Sequence, residues 1–378
     1  MTNDEKYNLI TRNLEEVLTE EGLKTLIESG TPLRHYIGFE ISGKVHLGTG
    51  LATMQKIKEL QEVGVQTTIL LADWHTWLNK KLDGTLETAR KMAREYFEEG
   101  LKAGALCIGA DPDKIEFILG SELYEKLGQD YWATVINVSK ATTLSRMMRS
   151  TTIMGRKESE ISDAAMLIYP AMQSADIFGM FINITHSGTD QRNVHIVARD
   201  CAEKLGFPKP VAIHHHLLQG LIKPDLEDID KEVTGENDVK AAVKIAFKMS
   251  KSKPDSAVFI HDTPDEILRK VSNAYCPEGE VEFNPILDWV KWLIFYEQGG
   301  ALQSDALRIQ REEKWGGDLV YSSYEELEKD YVEKKLHPQD LKEAVAEWLI
   351  KKLEPARKYF EDPKRKKALE EIKNLTRR

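Results

Sequence analysis

Two stretches of the chain carry residue types that can handle a polyphosphate. The first runs from Tyr36 to Gly50, YIGFEISGKVHLGTG. Its apolar, aromatic start (Tyr36, Ile37, Phe39) reads as a buried strand, Gly43 breaks it, and His46-Leu47-Gly48-Thr49 opens a helix running from Leu51. A strand, a glycine turn and a helix N-terminus make an anion site, because free backbone N–H groups and the helix dipole point out of the same end. His46 adds a side-chain donor, and glycine lets a phosphate approach the backbone. The second stretch is Lys248-Met249-Ser250-Lys251-Ser252, followed by Lys253-Pro254. Lysines on a short serine-containing loop form a cationic clamp for departing phosphates. Taken singly, the first stretch also fits a plain strand-to-helix turn with a satisfied histidine, and the second a solvated loop.

Other residues suggest what the phosphate accompanies. Tyr169, Gln173 and Asp176 are spaced i, i+4 and i+7, so they share one helix face. A phenol, an amide and a carboxylate among apolar neighbours predict a pocket for a small polar ligand. Gly188-Thr189-Asp190-Gln191 follows a strand at 183–186 and sets a glycine turn and a carboxylate where a ribose hydroxyl can be held. The run QTTILLAD (66–73) suits a parallel strand buried on both faces, and it ends in Asp73-Trp74-His75-Thr76-Trp77. His75 there fits either a crevice residue or a core histidine. The triplet His214-His215-His216 lies on a strand read over 211–218. Alternating side chains let no more than two of the three meet one ion, so no metal site is predicted.

The supporting elements follow from hydrophobic period and punctuation. Residues 5–29 read as helix, with Leu14, Val17, Leu18, Leu23, Leu26 and Ile27 as apolar contacts. Residues 84–104 form a further helix, 115–119 a third strand, and Ser121-Glu122 the cap of the next helix. Residues 130–157 read as one long helix with a basic side at Arg146, Arg149, Arg156 and Lys157, and 163–181 as another with Pro170 in its first half. The acidic stretch 223–240 reads as a loop insertion, and 298–312 as flexible. From 264 onward the pattern is helical only, over 264–274, 285–297, 323–334, 338–353 and 363–376. That change from alternating strands and helices to helices alone predicts a domain boundary near 260.

With 378 residues, two or more domains are expected. No apolar run reaches membrane length, and the opening MTNDEKYNLITRN is too polar for a signal peptide. The scattered Cys107, Cys201 and Cys276 fit a reducing cytoplasm. A net charge of −10 excludes a protein coated in basic residues, but not a local nucleic-acid surface. The segment from Lys351 carries eleven Lys/Arg against five Asp/Glu and suits an RNA-facing end.

HLGT after a strand, with KMSKS about 200 residues on, resembles the paired motifs of the class I aminoacyl-tRNA synthetases. Within that class the chain resembles the archaeal and eukaryotic tyrosyl-tRNA synthetases, on YIGFE-SGK-HLG, LLADWH, YP-MQ--D, G-DQR, KMSKS, AYCP, FNPIL, GGD and LHP-DLK. The tryptophanyl enzymes are the alternative. They are similar but differ in the first and third of these motifs.

The resemblance implies an α/β, Rossmann-like parallel-sheet catalytic domain over 1–260 with a helical connective insertion at about 105–185. It also implies an all-α anticodon-binding domain over 261–378, and a homodimer. Tyr36 and Asp176 would hold a substrate phenol, and Tyr169, Gln173 and Gln191 its α-amino group, with Gly38 and Glu40 lining the same pocket. His46, Thr49, Lys248 and Lys251 would serve the ATP phosphates. Gly48, Gly188, Asp190 and the backbone near Leu218 would take the rest of the nucleotide. Arg149 and Arg192 match positions that read the first acceptor pair, and Trp315 and Asp340 positions that hold the first anticodon base. The implied activity joins L-tyrosine to tRNA(Tyr) through an adenylate, with ATP and its Mg2+ as substrate and no tightly bound metal. Two positions depart from the pattern: Thr49 stands where histidine is common, and Asn193 where lysine is frequent.

Overall fold

The computed structural model describes residues 1–155, 160–223, 247, 249, 254–298 and 307–376. Lys248 and Lys251, the acidic stretch from 224, residues 299–306, and Arg156 with Lys157 lie outside the described residues.

One sheet frames the molecule. Its strands are β1 (Leu14–Leu18), β2 (Arg34–Phe39), β3 (Gln66–Leu71), β4 (Ile115–Leu119), β5 (Ile184–Gly188) and β6 (Val211–His215), in spatial order β1-β6-β5-β2-β3-β4. β2 to β6 run parallel, and β1 lies antiparallel along the β6 edge. Parallel strands are covered on both faces, so their sequences are nearly continuous apolar runs. Residues 67–71 and all of β5 are buried accordingly. From β2 the chain builds outward through β3 and β4, then returns to β2's other side through β5 and β6. That reversal opens a crevice at the carboxyl ends of β2 and β5.

The helices of this half are α1 (Asn3–Thr11), α2 (Glu20–Glu28), α3 (Thr53–Val63), α4 (Asp73–Leu78), α5 (Leu86–Met92), α6 (Glu98–Ile108), α7 (Gly120–Leu127), α8 (Gln129–Ala141), α9 (Leu144–Ser150), α10 (Tyr169–Gly179) and α11 (Arg192–Ala202). Beyond residue 260 come α12 (Pro264–Ser272), α13 (Pro285–Trp289), α14 (Tyr324–Val332), α15 (Pro338–Lys352), α16 (Glu354–Tyr359) and α17 (Pro363–Leu375). Local chemistry sets several starts: Thr2 with Glu5 and Thr263 with Glu266 form reciprocal capping boxes on α1 and α12. A wide π turn, Gly48–Ala52, leads into α3. Gly104 of α6 sits against it so closely that a Cβ there would lie 2.2 Å from the Gly50 carbonyl oxygen. Gly104 is thus needed for backbone-to-backbone packing that anchors the start of α3, while a Cβ on Gly50 would instead lie 2.5 Å from Ile260 and 2.9 Å from Val45.

Five sequence expectations are corrected. Residues 5–29 are not one helix: Asn13, at φ 53°, ends α1, the Leu14–Leu18 run pairs with β6, and Thr19 caps α2. Residues 130–157 break at Thr142 and Thr143, whose hydroxyls bond locally, to Val138 O and the Arg146 N–H. α10 starts at Tyr169, so Pro170 occupies the first turn, where its missing N–H costs nothing. The region beyond 264 is not helical only: β7 (Leu307–Ile309) and β8 (Leu319–Tyr321) form an antiparallel pair. Three-residue strands are too short to show a period. Ser121 does not cap α7 either; its hydroxyl and amide both bind Asp73.

One apolar cluster runs from Ile37, Leu51 and Ile69 through Phe97 and Leu101 to Leu287, Val345, Leu349 and Ile372, and so crosses residue 260 without a break. A bridge between His46 and Phe259, with Leu47 N–H donating to Val258 O at 3.0 Å, ties the segment after KMSKS to the first motif. Among the described residues no helix is long and apolar enough to cross a membrane.

Candidate active site

At the carboxyl ends of β2, β3, β5 and β6 and the start of α3 lies a cleft of about 580 Å³. It gathers most of the site residues expected from sequence. β2 and its continuation supply Tyr36, Gly38 and Glu40, and the turn into α3 supplies His46, Gly48 and Thr49. Tyr169 and Gln173 come from α10, Gly188 from the end of β5, Asp190 and Gln191 from the turn after it, and Leu218 from beyond β6.

Asp176 has no exposed surface and does not itself line the cleft; it underlies the floor at His75, which does. Its Oδ1 accepts from the Tyr131 hydroxyl at 2.9 Å. Its Oδ2 has no hydrogen-bond partner among the described residues, and His75 Nε2, equally unpartnered, lies 3.7 Å away. Burial pushes the Asp176 carboxyl up to about 8 and drives His75 down to about 3, so both sit neutral near pH 7. Burial, then the nearby Asp176 charge, raises the Tyr36 phenol. Tyr36 folds across its own strand: a Cβ on Gly38 would lie 2.5 Å from the Tyr36 hydroxyl. Only glycine at 38 permits that ring position. A buried carboxyl oxygen and a ring nitrogen without partners, beside a cleft, suit a ligand hydroxyl.

Next to this floor the cleft turns anionic. Glu40 accepts from Asn79 Nδ2 at 2.6 Å and from the Tyr169 hydroxyl at 3.5 Å, with Lys81 Nζ at 4.0 Å. The Gln191 amide donates to Ile153 O at 2.9 Å, so its carbonyl is the end left to accept. Carboxylate and amide oxygens here suit an ammonium group.

The opposite end suits phosphate. His46 Nδ1 accepts the Gly48 N–H at 3.1 Å, so in the neutral ring the proton sits on Nε2, which faces Thr49 Oγ1 at 3.4 Å. The motif thus presents an imidazole N–H beside the N-terminus leading into α3. Thr49, the departure from the family pattern, is nearly buried and touches His46. Met249 of KMSKS lines the cleft, and its N–H donates to Leu218 O at 3.2 Å. At the other wall, a Cβ on Gly188 would lie 2.4 Å from Leu217 and 2.9 Å from Asp190.

The four residues matched to RNA contact are not in the cleft. Arg149 is exposed on α9; Arg192 starts α11 and pairs with Glu16 of β1 at 2.8 Å. Trp315 is 68% exposed in the turn before β8, and Asp340 lies in the first turn of α15 behind the His337 cap. Sequence reading missed Tyr131, which grips Asp176, and Asn79, which grips Glu40. Each is an unremarkable helix or turn residue in its own segment, and only its distant partner gives it meaning. His216, read in sequence only as one of a histidine triplet, bridges Glu15 and Asp288, at 2.6 Å to each, while stacking on Trp292.

Comparison with known proteins agrees with this geometry. Residues 28–223 and 243–354 match the family of tRNA synthetases class I (W and Y). The tyrosine–tRNA ligase of Thermococcus sibiricus is 52% identical, with 95% of each chain covered. That of Pyrococcus furiosus is 50% identical with the same coverage. The crystal structure of the Pyrococcus horikoshii tyrosyl-tRNA synthetase complexed with L-tyrosine matches with a TM-score of 0.90 at 49% identity, over 99% of this chain and 100% of that one. A tryptophanyl-tRNA synthetase from Aeropyrum pernix matches at a TM-score of 0.62 and 18% identity, over 94% of this chain and 84% of that one, and shares the fold alone. The chain therefore belongs to the class I tRNA synthetases, on their tyrosine–tRNA ligase branch.

Proposed function

We propose that the chain activates L-tyrosine with ATP and transfers it to the 3′ end of tRNA(Tyr), using the cleft described above. The observation that carries this is Asp176: a carboxyl sealed in the floor, with one oxygen satisfied by Tyr131 and the other without a partner. A phenol hydroxyl donating to Oδ2 supplies the missing partner. The α-ammonium group then meets Tyr169, Gln173 and Gln191, with Glu40 adding negative charge.

In the first step a carboxylate oxygen of tyrosine attacks the α-phosphorus of ATP in line. The bond from that phosphorus to the bridging oxygen breaks, and pyrophosphate leaves with the electron pair. No protein nucleophile is required; positioning and stabilisation of charge on the phosphates supply the catalysis. His46 Nε2–H, Thr49 and the N–H groups around Gly48 serve the phosphates, with Lys248 and Lys251. Gly188, Asp190 and the backbone at Leu218 hold the nucleoside. ATP enters as its Mg2+ complex. In the second step a terminal ribose hydroxyl of tRNA attacks the adenylate carbonyl, and AMP leaves.

The same reading divides the chain into a catalytic part, 1–260, with its insertion at about 105–185, and an anticodon-binding part, 261–378. Arg149 and Arg192 face the acceptor stem, and Trp315 and Asp340 the first anticodon base. The protein works in the cytoplasm as a homodimer. An apolar patch of Trp77, Trp132 and Ile136, exposed by 39%, 37% and 57% and knit by Trp74, supports a contact with a second copy there. Charging of a tRNA(Tyr) transcript with labelled tyrosine tests the whole. Acid-stable transfer of label with tyrosine alone is the expected result, and equal or greater transfer of tryptophan would overturn it.

A further inference from the structure

Three imidazoles cross the sheet in a line that the chemistry above does not use. On one face of the sheet, His35 of β2 contacts His186 of β5, Nε2 to Nδ1, at 3.0 Å. His186 in turn contacts His215 of β6, Nε2 to Nδ1, at 2.8 Å. The strand register places His215 beside Gly188, at the cleft's nucleotide wall. His35 is sealed in the interior, and its Nδ1 has no partner among the described residues. His215 lines the cleft, and no partner is found for its Nε2 among the described residues.

Proton counting gives the row a direction. Three neutral rings carry three N–H protons, and each of the two nitrogen-to-nitrogen contacts takes one. The third must sit at an end, on His35 Nδ1 or on His215 Nε2. On His35 it would be an orphaned N–H in the interior, a state rarer and less tolerated than an unused acceptor. On His215 it faces the cleft. His35 then donates to His186, His186 donates to His215, and His215 Nε2–H is the free donor. Burial keeps the rings neutral: it pushes His35 down to about 3 and His186 well below its ordinary range. It pushes His215 down to about 4, against an opposing pull from the Asp190 charge.

We infer that His215 is a further nucleotide-binding residue, donating Nε2–H to a ribose hydroxyl oxygen of ATP, and that His186 and His35 are positioning residues that hold it in this tautomer. The inference rests on the nucleotide reading of the cleft and adds a second imidazole donor to that of His46. A ribose held by Asp190 as acceptor and His215 as donor uses both capacities of a hydroxyl, which an analogue lacking that hydroxyl cannot do.

Two measurements decide it, after tyrosine-dependent ATP–pyrophosphate exchange by the parent has been verified; a parent without exchange would sink the functional reading and not this inference in particular. Nitrogen-15 NMR of the histidine-labelled parent should show His215 protonated on Nε2 and bare on Nδ1. In the His186→Phe variant that signature should give way to a mixture of tautomers. His215→Ala should raise KM for ATP about tenfold, the scale of a lost hydrogen bond, with tyrosine Kd unchanged as the sign of an intact fold. His215→Asn, which keeps a donor, should recover part of the loss. Replacing ATP by its 2′-deoxy and 3′-deoxy analogues should cost the parent more than His215→Ala for one of the two. An Nδ1-protonated His215 in the parent overturns the inference without any variant. So do an unchanged KM for ATP in a folded His215→Ala, and equal losses on both analogues in the two proteins.

Discussion

The carboxyl of Asp176 turns tyrosine binding into a titration. In the ligand-free protein it is held up at about 8 by burial, against downward pulls from Tyr131 and Tyr124. Below that value the floor of the cleft holds a proton. Oδ1 accepts from Tyr131, so the proton rests on Oδ2, and a phenol that donates to Oδ2 must displace it. The sign follows: affinity rises with pH up to about 8 and then levels. The slope follows as well, about tenfold in Kd for each pH unit well below the titration point, so L-tyrosine binds roughly fiftyfold more weakly near pH 6 than near pH 8, where half of the carboxyl is ionised. The α-amino group and the phenol of free tyrosine titrate above this window, so the slope belongs to the protein. Calorimetry without ATP measures it directly, in two buffers of different ionisation enthalpy. At pH 7 most of one proton should be released per tyrosine bound. Asp176→Asn keeps an acceptor for Tyr131 and places an amide at the Oδ2 position, so it should flatten the profile and abolish the release. Tyrosine affinity at pH 8 should drop by about 10- to 100-fold, since a charge-assisted hydrogen bond is exchanged for a neutral one. A parent profile that is flat from pH 6 to 8, or that falls with rising pH, would remove Asp176 as the acceptor of the phenol.

Three further outcomes are expected. Lys251→Ala should slow adenylate formation by on the order of 100-fold in rapid-quench kinetics, with tyrosine Kd nearly constant, because its charge acts on the departing pyrophosphate; a large rise in tyrosine Kd would move the loop to the amino-acid end. Asp340→Ala should leave ATP–pyrophosphate exchange intact and raise KM for tRNA roughly tenfold, and the penalty should shrink on a tRNA whose first anticodon base is changed; equal loss on both tRNAs would make Asp340 a helix-start residue only. Ile136→Glu should shift the protein from dimer to monomer in sedimentation experiments, since it puts an unpaired charge into a closed apolar contact; an unchanged oligomer would place the interface elsewhere.

The parts of this architecture with a period or a motif were legible in the sequence. The spacing of Tyr169, Gln173 and Asp176 placed them on one face, and α10 does carry all three on a buried side. The strand–turn–helix around His46 and the buried run of β3 followed from apolar pattern and glycine position. The misreadings have physical causes. Leu-Glu-Glu-Val-Leu serves a helix stripe or an edge strand equally well, and only the open edge of β6 decides for β1. The histidine row was invisible because its links join residues 151 and 29 positions apart on strands whose order the sequence does not state. Tyr131 and Asn79 were hidden for the same reason: each gains its role from a partner brought over by folding.

ATP–pyrophosphate exchange, run with tyrosine, phenylalanine, tryptophan and no amino acid, tests the central claim that this cleft recognises a phenol and activates its carboxylate. Exchange is expected with tyrosine, and at most a trace with the other two, because phenylalanine would leave Asp176 Oδ2 and His75 Nε2 unpartnered in the floor and the indole has no hydroxyl to place there. Exchange with phenylalanine within about tenfold of tyrosine, less than one buried unsatisfied group should cost, would contradict it.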